Sequence, residues 1–179
     1  MAATRRLQAT LIGAEPTRRG DEVGVLLDFR PLRIRADLDE IRDFASLGPE
    51  PCVSSIAGLG KVLRILRAAR IALPDEPRDL LGDEKRAGQL LERALGTPLL
   101  LELRPRSRIR FVAWTEQGVE TIDNVKEVLE TPDDYVVIRW GGRFPVRISR
   151  EDVIRQKTEC ERWFEVVDVE RPPARGSVT

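Results

Sequence analysis

The chain has 179 residues with 30 basic and 30 acidic side chains, 41% apolar residues and a formal net charge of zero, which excludes a disordered or fibrous protein. Histidine is absent and Cys52 and Cys160 are the two cysteines, so imidazole-based catalysis, histidine metal sites, cysteine-rich zinc sites and a disulfide framework are excluded together. No run approaches the roughly 18 apolar residues of a membrane span, and Met1 to Arg6 lacks the apolar core of a secretory signal, so a cytoplasmic protein with no membrane partner is expected.

Leu7 to Gly13 and Val23 to Arg35 alternate as strands, with Val23, Val25, Leu27 and Phe29 on one face and Pro31 at an edge or bend. They enclose a polar, Arg-tipped hairpin loop carrying Arg18 and Arg19. Leu38, Ile41, Phe44 and Ala45 recur at helical spacing after Asp37, which predicts a short helix ending at Gly48. A longer amphipathic helix runs from Ile56 to Ile71, with Lys61, Arg64, Arg67 and Arg70 as an outer stripe. An acidic, partly helical segment then closes at Gly96.

Leu99 to Leu103 and Ile109 to Trp114 read as strands joined by a turn centred on Pro105. From Val119 the texture changes to a small unit with an acidic helix or strand over Asp123 to Glu130. A Gly141-Gly142 hairpin follows, pairing Trp140 with Arg143 and Val136 with Arg147. That register places Trp140, Arg143 and Arg147 on one face, and Tyr135, Val137, Phe144, Val146 and Ile148 on the core side. Ser149 caps a predicted helix through Glu161, Trp163 to Val169 is a last strand, and residues 171–179 have the composition of a disordered tail. The expected domains are therefore 1–118, 119–170 and the tail 171–179.

The chemistry-bearing candidates are few. Gly58 to Lys61 lacks the upstream glycine and the hydroxyl residue of a phosphate loop, and the paired acids Asp133-Asp134 and Glu151-Asp152 read as loop and helix-start residues. Both cysteines read as buried small hydrophobes. No enzyme, cofactor or metal is expected. The informative pattern is 26 Arg against 4 Lys, which suits a hot or high-GC source. Arg30, Arg33, Arg104, Arg106, Arg108 and Arg110 are concentrated on strands, and guanidinium groups bind phosphates bidentately and stack on bases. The same arginines facing acidic helices would give a salt-bridged scaffold, and Trp140 beside Arg143 and Arg147 would serve either as a stacking platform or as a seam between units.

The long Arg-tipped hairpin, the leucine-rich helix from Gly58 to the turn at Pro74, and the strand opening Gly96-Thr-Pro-Leu-Leu-Leu-Glu-Leu resemble phage-type single-stranded-DNA-binding proteins of the OB fold, over Leu7 to Trp114. The resemblance implies an α+β protein, an OB-like antiparallel β-barrel with helical insertions, and a single-strand track through Arg30, Arg33, Arg104, Arg108 and Arg110. The remaining residues add a small C-terminal unit of β-hairpin, helix and strand. The expected function is a nucleic-acid-binding accessory protein for single-stranded DNA or RNA. The alternative is a protein-interaction or assembly module, with a homo-oligomer or protein partner.

Overall fold

A computed structural model describes residues 3–33 and 37–174. The chain is sheet-rich with two α-helices: β1 Arg5–Arg19, β2 Glu22–Pro31, β3 Ile41–Gly48, α1 Val53–Ala68, a short 3-10 helix Pro77–Leu80, α2 Glu84–Glu92, β4 Pro98–Thr115, β5 Gly118–Ile122, β6 Val125–Glu130, β7 Asp134–Arg139, β8 Val146–Ser149 and β9 Val153–Glu170. The pairs β1–β2, β1–β4, β2–β3, β4–β5, β6–β7 and β7–β8 are antiparallel; the strand order is β3-β2-β1-β4-β5 with β9 also on β4, and β6-β7-β8 form a separate sheet. No described helix is long and apolar enough to cross a membrane.

Two compact units divide the chain: Met1–Pro105 with Phe164–Thr179, and Arg106–Trp163. The division is discontinuous and falls inside β4 and β9, while the sequence reading sets its boundaries after residues 118 and 170.

The first unit is built on alternation. Val25, Leu27 and Phe29 of β2, Ala9 and Leu11 of β1, and Leu99, Leu101 and Leu103 of β4 point inward at zero exposure, and Val62, Ile65 and Leu66 of α1 join the same core. The Arg-tipped hairpin is tighter than expected, because β1 continues to Arg19 and turns at Gly20, whose φ of 61° suits glycine. The end of the second predicted strand, Ile34 and Arg35, lies outside the described residues, as do residues 175–179 of the tail.

Three predicted elements are corrected. The segment expected as a helix from Asp37 to Ala45 contains β3, whose inward row is Ile41, Asp43, Ala45 and Leu47. The aspartate interrupts the apolar alternation that would have announced the strand. The expected turn at Arg104 to Arg108 is uninterrupted strand. Pro105 lies beyond the last β1 pair, Arg5 with Leu103, and before the first β5 pair, Phe111 with Ile122. A missing N–H therefore breaks neither of those ladders. The expected helix from Ser149 to Glu161 is a turn, with Asp152 N donating to Ser149 O at 3.2 Å, followed by β9. Its polar residues carry no apolar period of their own, and the strand is held by pairing with β4.

The second unit has its own core, in which Phe111, Ala113, Val125, Val137 and Ile148 are buried, with the Phe111 and Tyr135 rings 5.7 Å apart. The β7–β8 register matches the expected one, Val136 with Arg147. The turn differs: Gly142 N donates to Arg139 O at 3.3 Å and Gly141 alone of the pair has positive φ, 71°, and the β7–β8 ladder ends at Val137 with Val146, leaving 138–145 outside it. Phe144, expected in the core, is consequently 80% exposed.

Candidate nucleic-acid interface

The outer face of the first unit is set by the same alternation that fills its core. Leu26, Asp28 and Arg30 of β2 point outward, opposite the row that ends in Phe29. Cross-strand pairing sets Leu26 beside Phe44 and Asp28 beside Arg42. A Cβ on Gly24 would meet the Phe44 ring at 2.7 Å, so the absent side chain lets the ring lie against the β2 backbone. The Arg19 guanidinium sits over that ring, 4.5 Å from its centroid.

Along the row, Arg42 donates to Asp28 at 2.7 Å, which raises its pKa through that hydrogen bond and keeps the guanidinium charged. Arg30, at the far end, makes no ion pair among the described residues. Beyond it opens a cleft of about 640 Å³ lined by Arg6, Gln8, Leu32 and Arg33. Arg18 is exposed at the hairpin tip, 3.2 Å from buried Glu84. Arg104 stands apart from Arg30: it lies six residues along β4 from Pro98, which is level with Arg30 across Thr10, a span of about 20 Å.

In the second unit Arg108, Arg110 and Arg147 are engaged. Arg108 and Arg110 share Asp123 and Glu161, with Arg110 Nε donating to Asp123 at 2.7 Å and Arg108 lying 3.3 Å from the same carboxylate. The hydrogen bond to Asp123 raises the Arg110 pKa, and the Arg108 guanidinium also lies 5.1 Å from the centre of the Trp163 ring. These groups are a brace joining β4, β9 and the β5–β6 connection, and they present few free donors to a ligand. Arg147 pairs with Asp134 at 3.4 Å. Arg106 is exposed on β4.

The segment from Arg139 to Pro145 is exposed throughout. Trp140 is 67% exposed with the Lys126 ammonium 5.1 Å from its ring centre, and Arg143 makes no ion pair among the described residues. Trp140 also borders a notch of about 160 Å³ with Ser107, Ile109 and Asn124. Neither the outward-facing, half-buried Phe44 nor the exposed Asn124 carries a signal in the sequence: Phe44 fits a helical period, and Asn124 lies within an acidic run.

Both cysteines are exposed rather than buried. The Cys52 thiol is lowered to about 7, first by its hydrogen bond with Ser54 and then by Ser55. No group of three or more acidic or cysteine side chains able to hold a metal occurs among the described residues. Comparison with protein-family models, with curated proteins and with solved structures finds no match for this chain.

Proposed function

We propose that the protein is a non-enzymatic accessory protein that binds single-stranded DNA or RNA, and that Met1–Pro105 with Phe164–Thr179 is an OB-type barrel. Several features support this fold. A β1-β2-β3 meander leads into α1, β4 returns beside β1, β9 lies on β4, and the Asp43 carboxylate of β3 accepts from Val166 N of β9 at 3.0 Å. OB folds bind oligonucleotides across their second and third strands and through the loops that flank them. In that arrangement β2, β3 and the Arg18–Arg19 hairpin are the contact surface, and Arg106–Trp163 is an insertion between the last two barrel strands.

The observation that carries the proposal is the outward row on this surface. The Arg19–Phe44 stack stands over Gly24 at one end and Arg30 stands at the other, about 20 Å along the strand. A stacking group and a guanidinium free of carboxylates, at that spacing, suit a short run of extended nucleotides. Arg30→Glu is expected to weaken binding of a labelled single strand of about 15 nucleotides by roughly tenfold at low salt. Arg93→Glu at the end of α2 makes the same change in net charge and is expected to leave affinity nearly unchanged. Equal losses in both variants would mean that total charge, and not this face, drives binding.

A second reading, a protein-interaction or assembly module, draws on the first turn of α1, where Val53 is 89% and Ile56 59% exposed. A mass that rises with concentration in light scattering, together with no strand binding, would favour it.

A further inference from the structure

We infer that the second unit carries a separate site for one unstacked nucleobase, in the notch beside Trp140; this rests on the single-strand reading above. The notch measures about 160 Å³ and is bordered by Ser107, Ile109, Asn124, Val125 and Trp140, with Arg108 at its edge. A cavity of roughly 150 Å³ accepts one benzene ring, so the space suits a single aromatic ring.

Its walls differ in chemistry as a base requires. Trp140 offers a ring that is two-thirds exposed, and Ile109 adds a partly exposed apolar surface. Asn124 has φ 58°, a left-handed conformation that asparagine tolerates better than most residues, and its backbone oxygen accepts from Trp140 N at 2.8 Å. That bond fixes the indole's backbone beside the notch. The Asn124 amide and the Ser107 hydroxyl have no protein partner among the described residues. They supply a donor and acceptor pair and a hydroxyl to a base edge.

Charge complements the ring. Lys126 lies against Trp140, and Arg139 and Arg143 flank it in sequence, with no carboxylate between residues 135 and 150. The notch's one arginine is already held by Asp123 and Glu161, so it shapes the wall without inviting a second anion. A polyanion bearing aromatic rings fits this combination, and a single-ring base fits the volume better than a purine.

The test uses the full chain with oligothymidylate, oligocytidylate and oligoadenylate of about 15 nucleotides at one low salt concentration. The wild type is expected to favour the two pyrimidine strands and to lose tryptophan fluorescence on binding. Trp140→Ala is expected to weaken pyrimidine-strand binding by roughly 5- to 150-fold and to remove most of the quench. Asn124→Gly keeps the left-handed backbone, and is expected to abolish the pyrimidine preference while retaining the quench. Both side chains are exposed, and unchanged thermal unfolding will confirm that the variants fold. If Trp140→Ala binds like the wild type while Arg30→Glu is weakened, the strand reading stands and the notch is overturned. Equal weakening on all three strands with a silent Asn124→Gly also overturns the notch as a base site. A wild type that binds no strand overturns both.

Discussion

Replacing Asp43 with alanine is expected to lower the free energy of unfolding by about 3 to 5 kcal/mol. This carboxylate is nearly buried on β3. Its Oδ2 accepts from the Lys61 ammonium of α1 and from Val166 N of β9, and its Oδ1 accepts from Phe44 N at 2.9 Å. Removing it leaves a lysine whose side chain is 14% exposed without a counter-charge, and a buried amide without an acceptor. Each of those defects is costly where water cannot enter, because the unmet group keeps its full desolvation penalty. Asp43→Asn retains an oxygen for Val166 N but not the charge, so a smaller loss is expected. Lys61→Met on the Asp43→Asn background should recover part of it, since the uncompensated cation is then gone. Urea denaturation of the four proteins checks the order. Wild-type stability in Asp43→Ala would mean that the triple junction of β3, α1 and β9 is not what holds these elements together.

The second large effect sets two glycines of one helix against each other. Gly58→Ala is expected to destabilise by about 2 to 3 kcal/mol. A Cβ there would collide with the backbone oxygen of Ser46 and stand 2.7 Å from its nitrogen, and backbone cannot swing aside as a side chain can. Gly60→Ala, two residues on, meets no heavy atom within 4 Å and is expected to stabilise by about 0.5 to 1 kcal/mol through helix propensity alone. Opposite shifts in melting temperature are therefore expected from identical substitutions. Two stabilising shifts would show that α1 does not rest on β3 through Gly58.

Which parts of the fold are legible in the sequence depends on whether a segment's partners are local or distant. The α1 period was legible because Val62, Ile65 and Leu66 bury a continuous stripe, and the β7–β8 register was legible because the chain must turn near Gly141. Strand β3 was hidden by Asp43, a charged residue on an inward position whose partners lie 18 and 123 residues away. No local pattern announces such partners. Strand β9 was hidden for the converse reason, since its first half is polar on both faces and takes its conformation from its neighbour.

For the candidate site, residue type was legible and burial was not. Sequence singled out Arg30 and Arg108 on equal terms. Only the fold distinguishes Arg30, which faces outward with no carboxylate, from Arg108, which is held by Asp123 and Glu161. Phe144 was assigned to the core by strand parity, which ceases to apply where β7 ends at Arg139. Gly58 and Lys61, rejected as a phosphate loop, prove to be packing residues: one admits the β3 backbone and the other neutralises Asp43.

The most direct test of the central claim is the salt dependence of single-strand binding by the full chain. With two or three phosphates neutralised by the outer face of β1, β2 and β3, raising salt from about 50 to 200 mM is expected to weaken binding roughly 7- to 20-fold, linearly on logarithmic axes. Affinity indifferent to salt, or no binding even at the lowest salt, would contradict it.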